Sequence, residues 1–208
     1  MNINDCLTQY RDQVSEATAY LQKAYDKNPD GTFCHPTAYK SFIVNAAFLK
    51  FYIAWEEYLE KVMSAYLLGE HTINNTTIVK SVVARGEKHA HDLLVGTNAY
   101  FDWSNPELIR KLSKLYLEES NVVGDNIMSI QADLFDLKTI RNAAAHISAT
   151  TQNKLDGLAS RLLSNTVVNI TVESLITHIE PTSGLSYFEY YKQRLDIVAE
   201  KIAKGEII

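Results

Sequence analysis

The chain has 208 residues, 46% of them hydrophobic and 22% charged, with only 8 Gly and 4 Pro. Such a composition excludes disordered, collagen-like and low-complexity classes and fits an ordinary globular chain. The formal net charge of -5 also excludes a global positive field, so any contact with nucleic acid or anionic membrane must rest on a local basic set.

Two cysteines, Cys6 and Cys34, make neither a disulfide framework nor a zinc-ligand set. The first residues are polar and acidic, unlike a secretion signal. Lys50, Glu56, Glu57 and Glu60 interrupt the longest apolar stretches, so no membrane span is expected. The expected compartment is the cytoplasm.

Taken in chain order, apolar residues recur at helical spacing from about Asn4 to Asp26, through Leu7, Tyr10, Val14, Ala17, Leu21 and Ala24. Asn28-Pro29-Asp30-Gly31 breaks that pattern. His35-Pro36-Thr37 opens the longest helical pattern, which reaches Leu68 and closes at Gly69. One of its stripes reads Phe48, Tyr52, Trp55, Leu59, Val62, Tyr66, and the adjacent one Leu49, Ile53, Glu56, Glu60, Met63, Leu67. Apolar breadth of that kind predicts a central helix rather than a surface one.

Asn74-Asn75-Thr76-Thr77 predicts the cap of a third helix through about Leu94, ending near Gly96. Ser104-Asn105-Pro106-Glu107 combines a polar cap, a proline at the first helical position and an acid in the first turn. A loop containing Gly124-Asp125-Asn126 then leads to a helix from about Ser129 to Ala149, with Leu134, Leu137 and Ile140 on its apolar side. A shorter helix follows Thr150 and reaches Leu163. Thr166 to Ile179 is rich in β-branched residues and reads as a short strand or a helix. After the turn at Pro181-Thr182-Ser183-Gly184, a last helix runs from about Leu185 to Ala203. The expected fold is all-α: a single-domain bundle of roughly six to seven helices spanning residues 1-208 around a long central helix.

No Gly-rich phosphate loop, G-x-S-x-G elbow or H-E-x-x-H sequence is present, so neither a cofactor nor a metal is expected. His89 and His91 are two apart, and on a helix they point about 200° from each other. They read as solvent-facing or capping residues.

The stretch that stands out is Arg141-Asn142-Ala143-Ala144-Ala145-His146. Asn142 and His146 are one helical turn apart and share a face. Arg141 sits roughly 140° from His146 around the axis, but its long side chain can curl back toward the same rim. Alanines separate them, leaving no bulk to obstruct a phosphate or a neighbouring helix. A histidine able to exchange a proton near neutrality, beside a fixed guanidinium, suits phosphodiester cleavage. The plainer reading is a pair of cations at a helix C-terminus, favourable with the helix dipole.

In this motif the sequence resembles the HEPN superfamily of small all-α domains, whose active members carry Arg, usually a polar residue, and then His near the end of a late helix. Arg141, Asn142 and His146 match that pattern, and FLKFYIAWEEYLEKVMSAYLLG resembles the family's aromatic-rich second helix. The resemblance covers about residues 40-150. It implies a metal-independent endoribonuclease acting as a homodimer on RNA, in a toxin-antitoxin or phage-defence setting with an antitoxin or defence-system partner protein. His146 is implied to activate the ribose 2′-hydroxyl or protonate the leaving oxygen, and Arg141 to stabilise the phosphorane. Toxins of this family that are silenced by a partner nucleotidyltransferase carry Tyr two residues after the His. Here Ser148 stands there, so control by tyrosine modification is not expected.

Glu56 shares a stripe with Leu49, Ile53 and Met63 and should be part-buried with a partner, Arg141 being the natural one, as the resemblance also suggests for acids on this helix. Contact with RNA would lean on a local set including Lys111, Lys114 and Lys138. A reading from a different class is a non-catalytic helical module that binds a partner protein or nucleotide, with Arg141 and His146 structural.

Overall fold

The structure, a computed structural model, describes residues 2–98, 100–117, 121–146 and 148–208. Among these residues it forms nine helices: α1 (Ile3–Lys23), α2 (Thr37–Leu68), α3 (Glu87–Val95), α4 (Pro106–Tyr116), α5 (Val122–Ser129), α6 (Gln131–Ala145), α7 (Ala149–Leu162), α8 (Val172–Thr177) and α9 (Tyr187–Lys204). Extended backbone pairs there only at isolated bridges, Lys27 with Phe33, Lys80 with Leu117 and Ile179 with Ser186. The class is all-α. No described helix is long and apolar enough to cross a membrane.

Where local signals were strong, they set the elements. Asn105 accepts from the Glu107 and Leu108 N–H groups at 3.1 and 3.3 Å, with Pro106 opening α4. Gly69 closes α2 at φ 100°, a conformation that suits glycine.

The helix expected from Asn74 begins only at Glu87. Asn75 adopts a left-handed φ of 58°, and Thr72 and Thr76 bond one another, so the polar cluster forms its own turn rather than a cap. The loop expected at Gly124-Asp125-Asn126 is instead α5. Its N-cap is Asn121, whose side chain accepts from the Gly124 N–H at 3.1 Å. The open segment Thr166 to Ile179 resolves into a loop followed by α8, capped by Thr171. Two of the nine helices, α5 and α8, have only 8 and 6 residues, too short for a periodic pattern to reveal.

The chain divides into two compact units, each assembled from stretches distant in sequence. The first comprises Met1–Arg11, Trp55–Phe135 and Arg194–Ile208, and the second Asp12–Ala54 and Asp136–Gln193.

In the first unit an aromatic core of Tyr10, Trp55 and Tyr58 is fully buried, with the Tyr10 ring 6.0 Å from Trp55 and 5.2 Å from Tyr58. Tyr58 donates its hydroxyl to the Ala199 carbonyl at 2.6 Å, and Tyr66 donates likewise to Ile202, which ties α2 to α9. On the surface Arg11 grips Asp196 and Glu200 at 2.6–2.9 Å. Cys6 is buried in this unit, and burial pushes its thiol up to about 11. Gly124 lies where a Cβ would stand 2.6 Å from Ser113 Oγ and closer still to the Asn121 side chain, so α4 and α5 meet there only because it is glycine.

In the second unit Phe48, Phe51 and Phe188 pack in sequence, with centroids 6.0 and 5.2 Å apart. Lys40 pairs with Glu173 at 2.9 Å and lies over the Tyr25 and Phe33 rings. Cys34 is exposed beside Asn28. Asp156, buried on α7, accepts from Gln152 Nε2 at 2.8 Å, the Ile170 N–H at 3.0 Å and the Asn169 N–H at 2.9 Å. Burial acts to raise its pKa, but these donors outweigh it and hold the carboxyl below its ordinary range.

Two stability predictions follow from these contacts. Gly124→Ala lowers unfolding free energy by about 1–3 kcal/mol in urea melts, because Ser113 and Asn121 must give way. Asp156→Asn sets an amide NH₂ against backbone N–H donors and costs about 1–3 kcal/mol at pH 7. Because the folded pKa is depressed, the native carboxylate's contribution is complete above its unfolded value of about 3.9. It is lost as pH falls through the folded value, so mutant and wild-type urea midpoints converge in acid.

Candidate functional site

The candidate motif lies at the end of α6, in the second unit. Leu137 and Ile140 are fully buried and fix which side of α6 faces inward. That orientation leaves Arg141, Asn142, Ala143 and Ala144 half-buried, and Ala145 and His146 exposed. His146 is one residue past the helix, yet its N–H still bonds the Asn142 carbonyl at 3.0 Å, so the helical spacing of Asn142 and His146 is kept.

Arg141 donates from Nη1 to the Asn142 Oδ1 at 3.2 Å. No described group hydrogen-bonds the His146 imidazole.

The next element is α7. Ser148 is the N-cap, accepting from the Thr151 N–H at 3.1 Å. Thr151 Oγ1 accepts from the Ser148 N–H at 3.1 Å and donates to the His146 carbonyl at 2.6 Å. This closure ends α6 at Ala145, short of the expected Ala149. The signal was present in sequence as a hydroxyl residue three before another, Ser148 and Thr151.

The remaining expected residues are distributed as follows. Glu56 is half-buried on α2 in the first unit, whereas Arg141, Asn142 and His146 belong to the second. Its neighbours Glu57 and Glu60 pair with Lys61 at 2.9 Å and His91 at 3.2 Å. Lys111 and Lys114 are exposed on α4, also in the first unit. Lys138, half-buried, sits one helical turn before Arg141 on α6. His89 Nδ1 accepts from the Arg85 N–H at 3.1 Å, at the start of α3. No group of three or more His, Cys, Asp or Glu able to hold a metal ion occurs among the described residues.

Chemically, the corner offers an accessible imidazole and a guanidinium on one helix end. An imidazole can move a proton and a guanidinium can stabilise an anion. Compared with known proteins, the chain matches no family model, no curated protein and no solved structure.

Proposed function

We propose that this protein is a metal-independent endoribonuclease in which His146 acts as acid–base and Arg141 stabilises the charge that develops on the phosphorane. One observation carries the reading. His146 is exposed immediately beyond α6, with Asn142 one turn back and Arg141 bonded to Asn142. A proton-transfer group and a fixed cation at one accessible rim are what cleavage by 2′-hydroxyl attack requires.

In-line attack needs both a base and an acid. A two-fold dimer supplies the second histidine by symmetry, so the acting species is a homodimer with a composite site. His146 of one copy removes the 2′-hydroxyl proton, its counterpart protonates the leaving 5′-oxygen, and a 2′,3′-cyclic phosphate remains. Asn142 holds the Arg141 guanidinium, and Lys138, Lys111 and Lys114 contribute to backbone contact with RNA. The resemblance suggests for Glu56, as an acid on this helix, a supporting role toward the guanidinium. A toxin-antitoxin or phage-defence setting, in the cytoplasm and with a neutralising or triggering partner protein, belongs to the same reading.

A second reading, a non-catalytic helical module for a partner protein, is favoured by a different observation. On α2 the exposed residues Tyr39, Phe42, Ala46 and Ile53 line one stripe, with Tyr39 and Phe42 at 67% and 71% accessibility.

The test is cleavage of total RNA with EDTA present. Wild type cuts and leaves cyclic phosphate ends. His146→Ala loses at least about a hundredfold in rate while far-UV circular dichroism and melting temperature stay close to wild type, as expected for an exposed residue. Undiminished cleavage by His146→Ala, or cleavage only with added divalent metal, removes the ribonuclease reading. No cleavage by wild type, with lost stability in Arg141→Ala, selects the binding module.

A further inference from the structure

We infer that Thr151 is a positioning residue for His146: its hydroxyl clamps the His146 carbonyl and so fixes where the imidazole stands at the α6–α7 corner. This rests on the reading of His146 as the catalytic acid–base.

A residue just past a helix end is held weakly, because the last carbonyls lack intrahelical partners and the terminal turn frays. His146 is such a residue. Its N–H is tied back to Asn142, but among the described residues no later backbone N–H bonds its carbonyl. Thr151 supplies the missing partner at 2.6 Å. The same Oγ1 accepts from the Ser148 N–H at 3.1 Å and lies 3.0 Å from the Ser148 carbonyl, so it is anchored on several sides. A β-branched side chain with a restricted χ1 adds stiffness that serine lacks. With no described group bonding the imidazole, the backbone at His146 is what sets the ring's origin. Acid–base efficiency depends steeply on that placement.

Ser148 separates positioning from mere helix stability. Its Oγ caps α7 through the Thr151 N–H and lies 3.1 Å from Thr151 Oγ1, but bonds no atom of His146. Removing it weakens α7, while Thr151 Oγ1 keeps the Ser148 N–H as its donor and the His146 carbonyl as its acceptor.

The experiment compares Thr151→Val, Thr151→Ser and Ser148→Ala in the full chain. RNA cleavage is measured at saturating and limiting substrate, and the His146 imidazole C–H signals are followed by NMR. Thr151→Val lowers kcat about tenfold with KM unchanged, and its His146 signals shift or broaden. Thr151→Ser restores most of the rate. Ser148→Ala loses melting temperature but keeps kcat and the native His146 signals. Should the valine variant not fold, Thr151→Ala, which also lacks the hydroxyl and suits a helix better, repeats the test. Wild-type kcat in the hydroxyl-free variant, or an equal loss in Ser148→Ala, overturns the inference. If wild type and His146→Ala cut alike or not at all, it is the ribonuclease reading that fails. The NMR arm then decides alone: moved His146 signals in Thr151→Val uphold the clamp, and unmoved signals overturn it.

Discussion

The constraint on which this architecture depends is the burial of α2. Over its 32 residues, Val44, Phe48, Phe51, Tyr52, Trp55, Leu59, Val62 and Met63 have no exposed surface. With the buried alanines and tyrosines between them, they sweep an arc of roughly 180° around the axis. A helix that apolar is stable only when other helices cover it. Each unit contains one half of α2, and each gathers segments from distant parts of the chain around that half. Aromatic rings fill much of both cores. In the first unit the buried Tyr58 and Tyr66 hydroxyls are spent on α9 carbonyls.

What was legible in the sequence follows from how local each signal is. The long helix announces itself because its apolar stripes persist over many turns, and α4 because Asn105 and Pro106 act within one turn. The interval 74–86 misled, since Asn and Thr serve equally as helix caps and as turn residues. The choice fell to the Thr72–Thr76 contact and a left-handed Asn75. The β-branched stretch near Val167 could not be assigned from its own residues, because Asp156, more than ten positions earlier, supplies the acceptors that shape it. The two-unit organisation left no linker in the sequence, because the boundaries at 11, 54, 135 and 193 fall within helices.

The candidate site was partly legible for the same reason. The spacing of Asn142 and His146 is a property of one helix, and it is retained. The Asn142 contact that holds Arg141 involves a chain neighbour and could not be separated from other partners by spacing alone. The end of the helix was misjudged because the residue that stops it, Thr151, lies on the next element and acts through a hydroxyl. Reading Ser148 and Thr151 together, as the opening of a new helix, would have set the boundary correctly.

The two cysteines occupy opposite extremes of access. Cys6 is enclosed, with a thiol that burial keeps protonated, while Cys34 is open to solvent. A maleimide dye added to the native protein therefore marks one defined position, on the loop between α1 and α2. The second equivalent reacts only when the core around Tyr10 and Trp55 opens, which makes thiol stoichiometry an internal gauge of unfolding.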